Sequence, residues 1–245
     1  MNDFVIEFLI IFFLGIFQSI FGIGLLLFGT PSFLILGYDF TSTLILLLPV
    51  SITISLLQLI YKNMLKREKI LEFNIYALPS LFIFLIISIN IDFIDIKLCV
   101  AALLILSSLI TLNKNKIIIW KKNILYYRKY CLIFIGFIHG VTNMGGGFLS
   151  IFSALINGNN KFLARNYIAY GYLAMGIIQY ISLILFSEIK IDFTKWYHII
   201  LPVIFFFPAQ KIFKTINNSM FIKIINYVAI IYGLITLIII LKKYF

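Results

Sequence analysis

Apolar residues fall in long blocks along this chain, separated by short polar stretches that hold nearly every Lys and Arg. The blocks cover approximately 4–36, 40–61, 73–90, 96–113, 131–157, 162–187, 195–213 and 219–241. A helix needs about 20 apolar residues to cross a hydrocarbon core of about 30 Å. The pattern therefore predicts an all-α integral membrane protein of about eight transmembrane helices. The first block is too long for one straight crossing, since at 1.5 Å per residue it would reach roughly 50 Å. Its natural break is Gly22-Ile23-Gly24, reinforced by Gly29-Thr30-Pro31. The fifth block is also overlong and is broken at Gly145-Gly146-Gly147. Half-helices or re-entrant segments are expected at both places.

The two halves resemble each other. An offset of 121 residues pairs Gly15 with Gly136, Gly24 with Gly145 and Gln58 with Gln179, and Pro79 and Pro202 correspond at an offset of 123. The reading is an internal duplication, with a first transmembrane repeat over 1–113, a basic cytoplasmic connector over 114–130 and a second repeat over 131–245. Duplicated halves with interrupted helices at matching positions are the sequence pointer to the binding site of a secondary transporter.

Composition strengthens the membrane reading. Hydrophobic residues make up 62% of the chain and charged ones 12%, with a mean hydropathy of +1.09, so no water-soluble fold would bury the apolar surface. The formal charge of +11 lies between apolar spans, where membrane topology accounts for it better than nucleic-acid binding. Cys99 and Cys131 stand alone in separate apolar blocks, without redox-pair or metal-site spacing. The N-terminus has no basic region before its apolar run and reads as a retained first helix. An eight-span arrangement puts both termini and the connectors 62–72, 114–129 and 187–195 on one side, with fourteen basic residues against six opposite. The positive-inside rule then makes both termini cytoplasmic.

The run Gly22-Ile-Gly24-Leu-Leu-Leu-Phe-Gly-Thr-Pro31, followed by Gly37 and Thr41-Ser42-Thr43, resembles the glycine-rich signature that opens each half of the TauE/SafE family of membrane permeases. Gly145-Gly146-Gly147-Phe-Leu-Ser-Ile is similar to the same glycine core. The first copy has a shorter glycine run than the family favours. The second lacks the following proline and carries Ala164-Arg165-Asn166 in place of the Thr/Ser cluster. The resemblance implies a multi-pass protein of the bacterial inner membrane that exports small anions such as sulfite, sulfonates or related organosulfur compounds.

The residues support a physical account beside that resemblance. Glycines let a helix stop inside the membrane and expose backbone N–H groups to an oxyanion, at the positive end of a half-helix. Close helix packing explains the same glycines. Gly22, Gly24, Gly145, Gly146 and Gly147 are thus candidate substrate-binding positions, joined by His139, Thr142 and Asn143 beside the second break and by Gln58 and Gln179 at corresponding depths. Gln18 and Ser19 lie beside the first break. His139 suits a proton relay, an anion contact or a buried neutral packing role. Arg165, at a span entrance, and Tyr167, Tyr170 and Tyr172 read more simply as anchoring and packing residues.

No carboxylate sits clearly at the centre of a span, so an acidic proton relay is not expected. An anion leaving a cell that is negative inside gains about 2.3 kcal/mol per charge per 100 mV, so export needs no coupled ion. The expected protein is a secondary permease for a small anion, with its two breaks meeting near the midplane and no cofactor. Its partners are that substrate and the lipid bilayer, with room for a homo-oligomer. An intramembrane enzyme is disfavoured by the absence of a nucleophile–base or metal constellation. A non-transporting assembly or scaffold protein needs no chemistry and stays as the alternative.

Overall fold

The computed structural model describes residues 3–62, 64–90, 96–112, 124–157, 160–187 and 197–244. The described residues are helical with no strand, and ten helices carry the fold: α1 (Asp3–Phe21), α2 (Leu25–Ile35), α3 (Phe40–Tyr61), α4 (Arg67–Asn90), α5 (Ile96–Leu112), α6 (Arg128–Thr142), α7 (Gly145–Ile156), α8 (Lys161–Phe186), α9 (Tyr197–Thr215) and α10 (Asn218–Tyr244). Five are long and apolar enough to cross a membrane, with such spans at Phe4–Phe21, Phe40–Tyr61, Arg67–Asn90, Lys161–Phe186 and Asn218–Ile240. Large apolar side chains point outward from several helices, among them Ile60 on α3, Leu185 on α8 and Ile204 on α9, each about two-thirds exposed or more. A protein in water avoids such surfaces, whereas lipid tails cover them readily. Part of the expected 114–130 connector lies outside the described residues, and Arg128 already opens α6.

The half-helices or re-entrant segments expected at the two overlong blocks take the form, in each, of two helices folded back on each other as an antiparallel hairpin. This differs from the single crossing per block that the eight-span arrangement assumes. The Phe17 ring on α1 lies 5.5 Å from the Phe28 ring on α2, and the Tyr38 hydroxyl beyond α2 donates to Glu7 Oε1 at 2.7 Å near the start of α1. Eleven residues separate Phe17 from Phe28, about 16 Å of straight helix, so the chain must turn back. Likewise the rings of Phe134 on α6 and Phe148 on α7 are 5.3 Å apart. Glycine at +78° (Gly22) and +143° (Gly24) makes the first turn, because L side chains avoid those φ values. At the second turn Asn143 takes the left-handed conformation with φ +61°. Gly145 to Gly147 are ordinary helical residues of α7, so their value there is small size rather than φ freedom.

Pairwise contacts fix the direction of the remaining helices. Gln58 near the end of α3 reaches the carbonyls of Gln18 and Ser19 at the end of α1, so α1 and α3 run together. Helices α4 and α6 also run parallel: Arg128 Nε pairs with Glu72 at 2.6 Å, and Ser80 donates to the Ile133 carbonyl. Gly136 and Gly140 there seat against the carbonyls of Ala77 and Leu81, where an added Cβ would come within 2.1 and 2.6 Å. Small residues four apart let the two backbones close up in a membrane. Helix α8 runs against α3, with Gly176 packed on Ile52, and α10 packs on α5 through Gly233. The start of α1 and the end of α10 consequently share one face. The α3–α4, α7–α8 and α9–α10 junctions share the other.

Candidate functional site

The last carbonyls of α1 lie at the first turn, where that of Gln18 accepts from Gly22 N at 2.7 Å and those after it lack a helical partner. Three other helices supply donors. Gln58 Nε2 of α3 donates to the carbonyls of Gln18 (2.9 Å) and Ser19 (3.2 Å). Arg165 Nη1 of α8 lies 3.4 Å from those of Ser19 and Ile20, and Gln210 Nε2 of α9 lies 3.2 Å from that of Ser19. Gln18 itself donates to the Ser51 hydroxyl and carbonyl. These side chains are all nearly or fully buried. The break is thus held by a polar collar, and Gly22 meets the Arg165 stem so closely that a Cβ would fall 2.7 Å from Cγ.

At the second turn the chain partly caps itself. Thr142 Oγ1 donates to the Ile138 carbonyl at 2.7 Å and accepts from Met144 N at 3.2 Å. Asn143 Nδ2 donates to Thr30 Oγ1 of α2 at 2.9 Å, and Gln179 Nε2 of α8 lies 3.5 Å from Asn143 Oδ1. His139 and Tyr172 meet edge to face at 5.9 Å, with Gln179 beside the imidazole. Within strict hydrogen-bond geometry the His139 nitrogens, the Tyr172 hydroxyl and Gln179 Oε1 are unpaired, although all three residues are fully buried and the Gln179 amide stands near enough to the imidazole to interact with it. The first turn of α7 packs on this cluster through Gly145 and Gly146, while Gly147 N donates to the Met144 carbonyl at 3.2 Å. The N-cap residue Met144 makes no side-chain cap hydrogen bond.

Nine of the ten predicted site residues therefore lie in one of two clusters. Gly22, Gly24 and Gln58 belong to the first, and His139, Thr142, Asn143, Gly145, Gly146 and Gln179 to the second, while Gly147 faces Ser107 instead. The breaks do not meet at one point. From Gly24 at the first to Thr30, which touches the second, α2 rises six residues, about 9 Å. The glycines of α7 are packed rather than open: Gly145 sits on His139 and the Ile135 carbonyl, Gly146 on the Tyr172 hydroxyl, and Gly147 on Ser107. Sequence reasoning did not single out Gln210 and gave Arg165 and Tyr172 anchoring or packing roles. Arg165 is 3% exposed and Tyr172 fully buried. The pairing of Arg165 with the first break crosses more than 140 residues, a distance at which no local pattern carries a signal.

Among the described residues, no group of three His, Cys, Asp or Glu side chains is placed to hold a metal ion. Searches of family profiles, of curated proteins and of solved structures return no match for this chain. What the fold defines by itself is a bundle of helices with five of membrane-spanning length and two buried polar turns.

Proposed function

We propose that the protein is a secondary permease that moves small anions, sulfite or sulfonates in the first instance, through the bundle by way of the two helix turns. The observation that carries this reading is the set of unpartnered polar atoms on His139, Tyr172 and Gln179 at the N-terminus of α7. Leaving a buried donor or acceptor unsatisfied costs about 1–3 kcal/mol, so a protein keeps several together where a visiting partner takes up the bonds. The positive end of α7, with hydroxyl and imidazole donors beside it, favours an anion as that partner. Full burial corresponds to an occluded arrangement, from which the α6–α7 hairpin must shift to admit substrate.

The duplicated reading gains support from the same places. The 121-residue offset carries Gly22 onto Asn143, both left-handed, and Gln18 onto His139 as well as Gln58 onto Gln179. Under that offset the α4–α6 packing corresponds to the α9–α1 packing, while α3–α8 and α5–α10 each correspond to themselves. Because α1 and α6 run in opposite directions, the halves form an inverted pair, the arrangement that permits alternating access.

The hairpins also alter the orientation argument. With each overlong block turning back, the termini lie opposite the α3–α4 junction rather than beside it. Eleven basic residues of the described segments then gather on the face away from the termini: Lys62, Lys66, Arg67, Lys69, Arg128, Lys129, Lys161, Arg165, Lys211, Lys214 and Lys223. Three, Lys97, Lys242 and Lys243, lie on the terminal face. The positive-inside rule now makes the basic face cytoplasmic and puts both termini outside, the reverse of the expectation from eight simple crossings.

The test is efflux from sealed liposomes containing the purified protein and loaded with radiolabelled sulfite, sulfate, thiosulfate or methanesulfonate. Protein-dependent efflux of at least one, lost in His139→Gln, supports the reading. A folded, correctly inserted protein that moves none of them overturns it and favours the assembly role.

A further inference from the structure

On the basic face, between the ends of α3, α8 and α9, lies a cavity of about 290 Å³ lined by Tyr61, Lys62, Phe162, Arg165, Gln210 and Lys214, among others. Arg165 lines it and is 3% exposed. The guanidinium stacks 3.7 Å above the Phe213 ring, and its Nη2 donates to Gln210 Oε1 at 2.6 Å. Its Nη1 is shared between two carbonyls at 3.4 Å, and its Nε has no partner. No carboxylate among the described residues pairs with it. The neighbouring Lys161 is spent differently, donating to the carbonyls of Phe213, Lys214 and Ile216 at the end of α9. Lys62 and Lys214 stand exposed at the mouth.

We propose that this cavity binds a small tetrahedral oxyanion, a sulfonate, sulfate or phosphate group, with Arg165 as the direct ligand and Lys62 and Lys214 as the gathering charges. A buried cation without a counter-ion is costly, and an anion bonded to Nε removes that cost and fills the missing hydrogen bond. The planar donor fork of Arg suits an oxyanion held between two oxygens, while lysines at the rim raise the local anion concentration. The Ser19 hydroxyl and Gln58 Oε1, also unpartnered in the collar beneath, leave further polar capacity for the ligand or for water it brings. This site is separate from the α7 cluster and does not depend on the permease reading. In a permease it is the cytoplasmic antechamber.

The experiment is equilibrium binding of radiolabelled sulfate to the full chain purified in detergent, with methanesulfonate and inorganic phosphate as competitors. Saturable binding is expected, weakened about tenfold or more by Arg165→Gln, the loss of one charge-assisted bond, and partly kept by Arg165→Lys. Arg165 also holds the α1 carbonyls, so its neutral variant can fail to fold. The double variant Lys62→Gln, Lys214→Gln keeps the collar and should still weaken binding and flatten its salt dependence. Lipid phosphate offers the same chemistry as a free anion, and nanodiscs of zwitterionic and anionic lipid separate the two sources. Sulfate binding that drops in anionic lipid names the headgroup as occupant; equal binding names the free anion. No saturable binding by the parent protein, or unchanged binding in folded variants of both kinds, overturns the proposal. Binding here with no flux in liposomes rejects the permease and leaves this site standing.

Discussion

Asn143 donates through Nδ2 to Thr30 Oγ1 at 2.9 Å, and this one bond joins the left-handed turn of the second hairpin to α2, the short helix leaving the first. Thr30 passes the interaction on by donating to the Leu26 carbonyl at 2.7 Å. The second turn is therefore tied by a buried hydrogen bond to the returning helix of the first hairpin, across 113 residues of sequence. A shift of either hairpin strains the other, which is the kind of contact that lets two gates move together.

That link should be measurable as a coupling. Thr30→Val removes the acceptor and leaves Asn143 Nδ2 buried without it, so it should lower stability by about 1–3 kcal/mol. Asn143→Gly keeps the left-handed turn and deletes the amide, and it should cost about the same or less. The double variant should lose clearly less than the sum, and a thermal or denaturant double-mutant cycle reads the difference. Full additivity would mean that the bond contributes nothing between the hairpins.

Gly146 tests whether α7 is packed as the structure has it. A Cβ at this position would lie 1.7 Å from the Tyr172 hydroxyl and 2.5 Å from Cζ, so Gly146→Ala should destabilise the protein by about 1–3 kcal/mol through overpacking. Tyr172→Leu shortens the opposing side chain beyond both atoms. Combined with Gly146→Ala it should recover part of the loss in melting temperature. If Gly146→Ala alone melts like the parent, the α7–α8 contact is looser than this.

His139 separates function from folding. Its ring is fully buried with only the Gln179 amide beside its nitrogens, so His139→Gln forfeits at most one weak hydrogen bond and should change the melting temperature little. If the α7 cluster binds the substrate, the same variant should cut the efflux rate about tenfold or more, the loss of one hydrogen bond to an ion. A large fall in stability together with the activity would assign His139 to packing alone.

The apolar blocks and the two places where helices stop are legible from spacing alone, because periodicity and glycine punctuation are local properties. The reversal of the chain at Gly22–Gly24 is not. A glycine pair permits a kink and a hairpin alike, and the choice rests on the Phe17–Phe28 and Glu7–Tyr38 contacts, which exist only after packing. From spacing Asn143 reads as a polar neighbour of the glycine run, whereas in the fold it makes the turn itself and the glycines pack tightly on His139, Tyr172 and Ser107. Arg165 is four residues into α8, a position that reads as a solvated span end until α1, α9 and Phe213 close around it.

Orientation gives the sharpest prediction, because one local feature sets its sign. If 4–36 and 131–157 each crossed once, the α3–α4 junction and the chain termini would lie on the same side. With both blocks folded into hairpins they lie on opposite sides, and the positive-inside rule, applied to the eleven basic residues of the described segments opposite the termini, predicts that the α3–α4 junction faces the cytoplasm. Cys99 and Cys131 are first replaced by Ser, and single cysteines are then introduced at Lys66, beside α4, and at Lys242, near the end of α10. In intact cells a membrane-impermeant maleimide should label the 242 position, and the 66 position only after the membrane is opened. The reverse pattern would leave the hairpins in place but turn the whole bundle over, against the charge rule. Labelling of both positions from the same side would remove the second hairpin, since a single crossing by 131–157 puts these two sites together whatever course 4–36 takes.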